Sequence, residues 1–182
     1  MKAASAAVAA LVAVALVLGV WYAKAPRATR VKAGQAAPPL EIPGVPGRPP
    51  LRLAEVQAPA VLLVLFDTRW PQAGAQLLET ERLYRRYVQR GLRVLGVAVD
   101  DPGKDVASVL NNLGITFTVV SDPGARALSV GFGAPPAFEA YLLGPGQAVE
   151  VVYVDDVDSR SRLVREQIER LLPEGGAAGS PR

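Results

Sequence analysis

Two apolar runs constrain this chain more than anything else in its sequence. Ala60-Val61-Leu62-Leu63-Val64-Leu65-Phe66 has no polar position, and Leu92-Arg93-Val94-Leu95-Gly96-Val97-Ala98-Val99 has one. A strand with one wet face alternates polar and apolar residues; an unbroken run of this length belongs to a strand covered on both faces. Between them, Gly74 to Arg90 has helical periodicity, with Leu77, Thr80, Tyr84 and Val88 expected as its inner stripe and Gly91 as its stop. A buried strand, a helix and a second buried strand form a parallel crossover unit.

The same reading extends along the chain. Gly34 to Pro50 is rich in Pro and Gly and predicts an extended entry with turns, or a short hairpin. Asp101 is expected to cap a helix with Pro102 at its first position, and Val106, Val109, Leu110 and Leu113 give that helix one apolar face. A strand over 116–120 and a short helix over 122–130 follow. Glu139 to Leu143 and Ala148 to Val154 read as a strand pair around Gly144-Pro145-Gly146. Ser159 to Leu172 reads as an amphipathic helix with Val164, Ile168 and Leu171 inward, and the tail over 174–182 as disordered. This order predicts an α/β domain over 34–173, a mixed central sheet flanked by helices.

The N-terminus is of a different kind. Ala3 to Tyr22 is a run of Ala, Val and Leu broken only by Ser5 and Gly19. About 20 apolar residues in a helix span the ~30 Å hydrocarbon core of a bilayer, and Trp21 and Tyr22 stand where an interfacial aromatic belt lies. Residues 1–25 are therefore read as one transmembrane helix, an uncleaved anchor, or else a signal peptide cut after Ala25. Residues 26–33 form a basic linker. Residues 1–34 contain Lys2, Lys24, Arg27, Arg30 and Lys32 and no acid, so the rest of the chain sets 15 basic side chains against 17 acids. The folded part is not basic, which argues against nucleic acid as a partner.

The chain has no cysteine and no histidine. Disulfides, cysteine-ligated zinc and iron–sulfur clusters are excluded. Asp155, Asp156 and Asp158 lack the ligand spacing of a calcium loop and read as a solvated turn, so no metal or cofactor is expected. Arg82, Arg85, Arg86 and Arg90 gather near the end of the first helix; an acidic partner or lipid is one reading, a solvated helix face the simpler one.

Several segments in order resemble the TlpA/ResA-like branch of the thioredoxin superfamily, within the broader AhpC/TSA (redoxin) group. Gly34-Gln35-Ala36-Ala37-Pro38-Pro39-Leu40 resembles the family's G-x-x-A-P-x-F entry. Phe66-Asp67-Thr68-Arg69-Trp70-Pro71-Gln72-Ala73 resembles W-A-T-W-C-P-P-C. Gly96 to Asp101 resembles the G-V-S-x-D strand end, and Ser121 to Gly133 the D-x-x-G-x-x-A-x-x-Y-G-V stretch. The resemblance implies a thioredoxin-like fold, a redox loop at 68–73, and a cis-proline facing it at Pro135 or Pro136. It also places the globular domain on the periplasmic or extracytoplasmic side, against the charges flanking the apolar run, which by the positive-inside rule favour the cytoplasm.

In this resemblance Thr68 and Pro71 match, while Trp70 and Ala73 occupy the two cysteine positions. Thiol exchange needs a thiolate, so no catalytic residue is expected and disulfide reductase, isomerase and peroxidase activities are excluded for the polypeptide as written. The reading is a membrane-tethered module without thiol chemistry, binding or scaffolding a protein partner in the cell envelope. Its binding surface would be the degenerate active site: Thr68, Trp70, Pro71, Ala73, Pro135 and Pro136. In the competing reading, Trp70 folds down and fills the space of the lost site. The alternative function is a thiol-disulfide oxidoreductase or peroxiredoxin-type antioxidant enzyme, active only if position 70 is selenocysteine or the chemistry is independent of thiols.

Overall fold

The computed structural model describes residues 31–43, 50–133 and 138–173. The apolar run over 3–22, most of the basic linker, Pro135, Pro136 and the tail over 174–182 lie outside the described residues. Among the described residues, no helix is long and apolar enough to cross a membrane.

The two apolar runs are central strands. β1 (Glu41–Ile42) and β2 (Leu51–Arg52) form a small antiparallel hairpin; β3 (Ala60–Phe66), β4 (Leu92–Ala98), β5 (Thr118–Ser121), β6 (Phe138–Leu143) and β7 (Val149–Val154) form one sheet in the order β5-β4-β3-β6-β7. β3, β4 and β5 are parallel, and β6 runs antiparallel to both β3 and β7. Every residue of β3 and β6 is buried, as expected for strands covered on both faces. Gly96 in β4 is a packing requirement, since a Cβ there meets Val119 at 2.9 Å and Phe117 at 3.1 Å.

One face is covered by helices. α1 (Ala73–Tyr87) presents Leu77, Leu83 and Tyr87 to Leu62, Val64 and Phe66. α4 (Arg162–Leu171) adds Val164 and Ile168, and α2 (Val106–Leu113) covers the edge with Val106, Leu110 and Leu113. The opposite face is covered by Val31, Leu40, Ile42 and Leu53 from the entry segment, with Leu128 from the four-residue α3 (Leu128–Gly131) and Phe132 just after it.

Helix boundaries depart from the sequence reading in instructive places. α1 ends at Tyr87, and a 3-10 turn over Val88–Arg90 rotates the chain, so Tyr87 rather than Val88 is buried. Gly91 then takes φ 103°, the left-handed stop. α2 begins after Asp105, whose carboxylate accepts the Ser108 N–H at 3.0 Å, rather than after Asp101. Pro102-Gly103 makes a turn instead, with the Lys104 N–H donating to the Asp101 carbonyl and Gly103 at φ 87°. The helix expected over 122–130 shortens to α3 because the buried Asp122 carboxylate accepts the Ala127 and Leu128 N–H groups, which delays helical winding. Glu81, on α1, is the main buried acid of the helical face. It accepts the Thr116 N–H at 2.8 Å, the Thr116 hydroxyl at 2.6 Å and Arg85 Nε at 2.6 Å, so it ties α1 to the approach of β5.

Candidate functional site

The loop from Asp67 to Gln72 leaves the carboxyl end of β3 and runs directly into α1. Crevices at the carboxyl ends of parallel strands are where open α/β sheets place their sites. Two consecutive turns shape it: the Trp70 N–H donates to the Asp67 carbonyl at 3.1 Å, and the Ala73 N–H to the Trp70 carbonyl at 3.0 Å.

Side chains clamp this loop to the one following β4. The parallel register aligns Phe66 with Ala98, so Thr68 and Asp100 each lie two residues beyond it on adjacent strands. The Thr68 N–H donates to both carboxylate oxygens of Asp100 at 3.2 Å, and the Thr68 hydroxyl donates to the same buried group. Alongside, Arg69 Nε donates to Asp67 at 2.9 Å and the other side of the guanidinium reaches Asp101. The Arg69 hydrogen bond holds the Asp67 carboxyl below its usual range despite partial burial, and the same pair raises the arginine. Sequence reasoning missed Arg69, Asp100 and Asp101 as loop clamps. The signal for them is equal overhang past the ends of two parallel strands, and it becomes legible only once the register is known.

Trp70 is half-buried. Its ring stacks on Phe138 at 6.1 Å between centroids and 26° between planes, and packs against the helical-face core. Phe138 is opposite Phe66 across the β3–β6 pair, so the indole closes the end of the column that these two strands build. Pro71 is exposed, and Thr68 is half-buried and engaged with Asp100. Ala73 is only 2% exposed, because the first residue of α1 packs its methyl downward, so it offers no surface for binding. Pro135 and Pro136 lie outside the described residues, and the structure does not describe how they stand to Trp70.

The far wall of this end is the 155–159 loop, fixed by α1. Gln76 Oε1 accepts the Val157 N–H at 2.7 Å, its amide donates to Asp156 at 3.3 Å, and Glu79 accepts from Ser159. On the other side, an open groove lies between Pro43, Pro102, Pro123 and Arg126. Among the described residues, no cluster of acids is arranged to hold a metal ion. The one hydroxyl of the loop, Thr68, donates to the Asp100 carboxylate that also takes the Thr68 N–H, which anchors the loop.

The AhpC/TSA family profile matches residues 33–137, more than half of the chain. A thiol-disulfide oxidoreductase ResA of Halalkalibacterium halodurans is 24% identical over 124 residues, 68% of this chain and 69% of that protein. The ResA of Geobacillus thermodenitrificans is 23% identical over 145 residues, 80% of this chain and 81% of that protein. Among solved structures, a thiol:disulfide interchange protein of the thioredoxin family from Chlorobium tepidum superposes with a TM-score of 0.61. It is 18% identical, over 79% of this chain and 99% of that one, a likeness of fold.

Proposed function

The chain belongs to the AhpC/TSA family and contains no cysteine, and from that premise we propose that it acts as a binding module rather than a thiol oxidoreductase. The observation that carries the reading is Trp70. It stands at the position of the first redox cysteine in the resemblance to ResA-like proteins, held half-buried on Phe138 by a loop locked at Thr68 and Arg69. A large, half-buried indole stacked on one face is pre-organised, and such residues dominate interface energetics. Pro71 extends the surface on one side, and Pro135 or Pro136 would extend it on the other.

The apolar run over 3–22 would tether the module to a membrane with its folded domain on the extracytoplasmic side. Tethering raises the effective concentration for protein partners in the cell envelope. The stacking on Phe138 supports the plug reading to the same extent, since it accounts for one face of the ring. Partner capture at position 70 distinguishes the two.

The test is a photo-crosslinking residue at position 70 of the full chain in cells. A reproducible partner, lost when Pro135 and Pro136 are changed, supports docking. No capture by a folded, membrane-bound chain makes Trp70 a plug and ends the proposal. Trp70→Ala should remain folded, losing about 1–2 kcal/mol of stability with the ring contact, while abolishing partner capture.

A further inference from the structure

The charge of the domain is sorted along the strand axis. All eight aspartates of the chain lie in loops at the carboxyl edge of the parallel strands: after β3 (Asp67), β4 (Asp100, Asp101, Asp105), β5 (Asp122) and β7 (Asp155, Asp156, Asp158). Among the described residues at that edge, six cations oppose them: Arg69, Lys104, Arg126 and Arg160, with Arg162 and Arg165 on the first turn of α4. The opposite edge carries the reverse excess. Lys32, Arg85, Arg86, Arg90, Arg93 and Arg170 gather there from the entry segment, the start of β4 and the ends of α1 and α4, against Glu55, Glu150 and Glu169.

Partnering within the basic edge is loose. Arg90 meets Glu169 only at 3.9 Å, and Arg86 lies over the Tyr87 ring at 5.6 Å. Arg85 is the exception, bound to Glu81. All but Arg90 are classed as exposed.

The entry segment is pinned at this same edge from Gly34 onward, while Val31 and Lys32 lie along β7 as far as Val154. The Gly34 N–H donates to the Val149 carbonyl and Ala36 pairs with Ala148, beside the turn that begins β7. Eight residues, nine Cα-to-Cα steps, separate Tyr22, the end of the apolar run, from Val31, the first described residue and a buried one. Extended chain covers at most about 3.6 Å per residue, so the interval limits separation from the apolar run to about 32 Å. Within it, Lys24, Arg27 and Arg30 add three further cations and no acid.

We infer that the basic edge of the domain is a docking surface for an anionic lipid bilayer, which holds the aspartate-rich Trp70 edge pointing away from it. Each basic side chain brought to an anionic surface raises surface partition on the order of fivefold at physiological ionic strength, while repulsion of the carboxyl edge disfavours the inverted orientation. The inference uses the proposed tether for proximity, and its test separates the two.

The absence of native cysteine makes single-cysteine labelling direct. The full chain carrying Gln89→Cys, at the basic edge, or Lys104→Cys, at the aspartate edge, is labelled with a fluorophore. It is reconstituted in vesicles of phosphatidylcholine alone or mixed equally with phosphatidylglycerol, each containing a headgroup quencher. The label at 89 should be quenched several-fold more on the anionic vesicles. That excess should vanish in high salt and in the Arg86→Glu, Arg93→Glu double variant, while the label at 104 stays insensitive to composition. Equal quenching at both ends, or no dependence on phosphatidylglycerol, overturns the docking surface. Alkaline carbonate extraction reports the tether independently: a chain that is released lacks the anchor whatever the labels show.

Discussion

The two faces of the sheet are equally dry but differently built. One is covered by α1, α2 and α4, whose apolar residues recur with helical spacing, and the other by an extended entry segment, a two-residue hairpin and a single turn of helix. Yet Leu53, Leu128 and Phe132 on the irregular face are as fully buried as Leu77 and Leu83 on the helical one. Burial follows from where the backbone passes over the sheet and needs no regular element to produce it. A domain of this kind can therefore hold half its core in segments that look like loops.

If the faces are energetic equals, removing a large side chain from either should cost alike. Phe132 packs edge-on against Tyr141 at 5.1 Å. Phe132→Ala should lower the stability of the folded domain by about 3–5 kcal/mol, and Leu77→Ala by about 2–5 kcal/mol, measured by urea denaturation. A loss below about 1 kcal/mol for Phe132→Ala would break the comparison and show that the irregular face is a loose cover.

The polar clasps sharpen it. Glu81→Gln keeps the shape but weakens acceptance from Thr116 and Arg85, and should cost about 1–3 kcal/mol. Burial pushes the Glu81 carboxyl up, but the Thr116 and Arg85 hydrogen bonds outweigh it and hold it below its ordinary value. Its folded value is thus lower than its unfolded one. The contribution is complete above the ordinary glutamate range and fades as pH falls through the folded value. Stability of the Glu81→Gln variant should accordingly fall less steeply with acid than that of the parent. On the irregular face, Asp122→Asn leaves one acceptor where two N–H groups now meet a carboxylate, and should cost about 1–2 kcal/mol. The increased amide exchange should concentrate at Ala127 and Leu128; uniform exchange across the domain would show that Asp122 does not act locally. The smallest effect belongs to Tyr153, whose hydroxyl burial pushes up to about 12. Its phenolate absorbance should appear later in an alkaline titration than that of an ordinary tyrosine while the domain remains folded.

The helical face and the central strands were legible before any coordinates. β3 is seven apolar residues in a row, and Leu77, Val164 and Ile168 fall where the 3.6-residue period puts them. The irregular face was not, because Leu40, Leu53 and Leu128 share no period and are brought together only by the hairpin and by the Asp122 cap. The Trp70 loop lies between these cases. Its place after β3 and the missing thiols are sequence facts; its clamp by Asp100 and Asp101 and its stacking on Phe138 depend on partners about 30 and 70 residues away along the chain.

The sequence by itself determined that no thiol or imidazole chemistry is available, because covalent reactivity belongs to side-chain identity and does not depend on fold. It also determined the buried strands, because continuous apolar sequence has one low-energy destination in water. Only the tertiary structure decided that Trp70 rests on Phe138 with Ala73 buried beneath the loop, and that every aspartate ends at one edge. Parallel strands joined by antiparallel helices send all their strand-to-helix loops to the same side. That geometry, together with the preference of aspartate for turns and helix starts, gathers the aspartates at one edge.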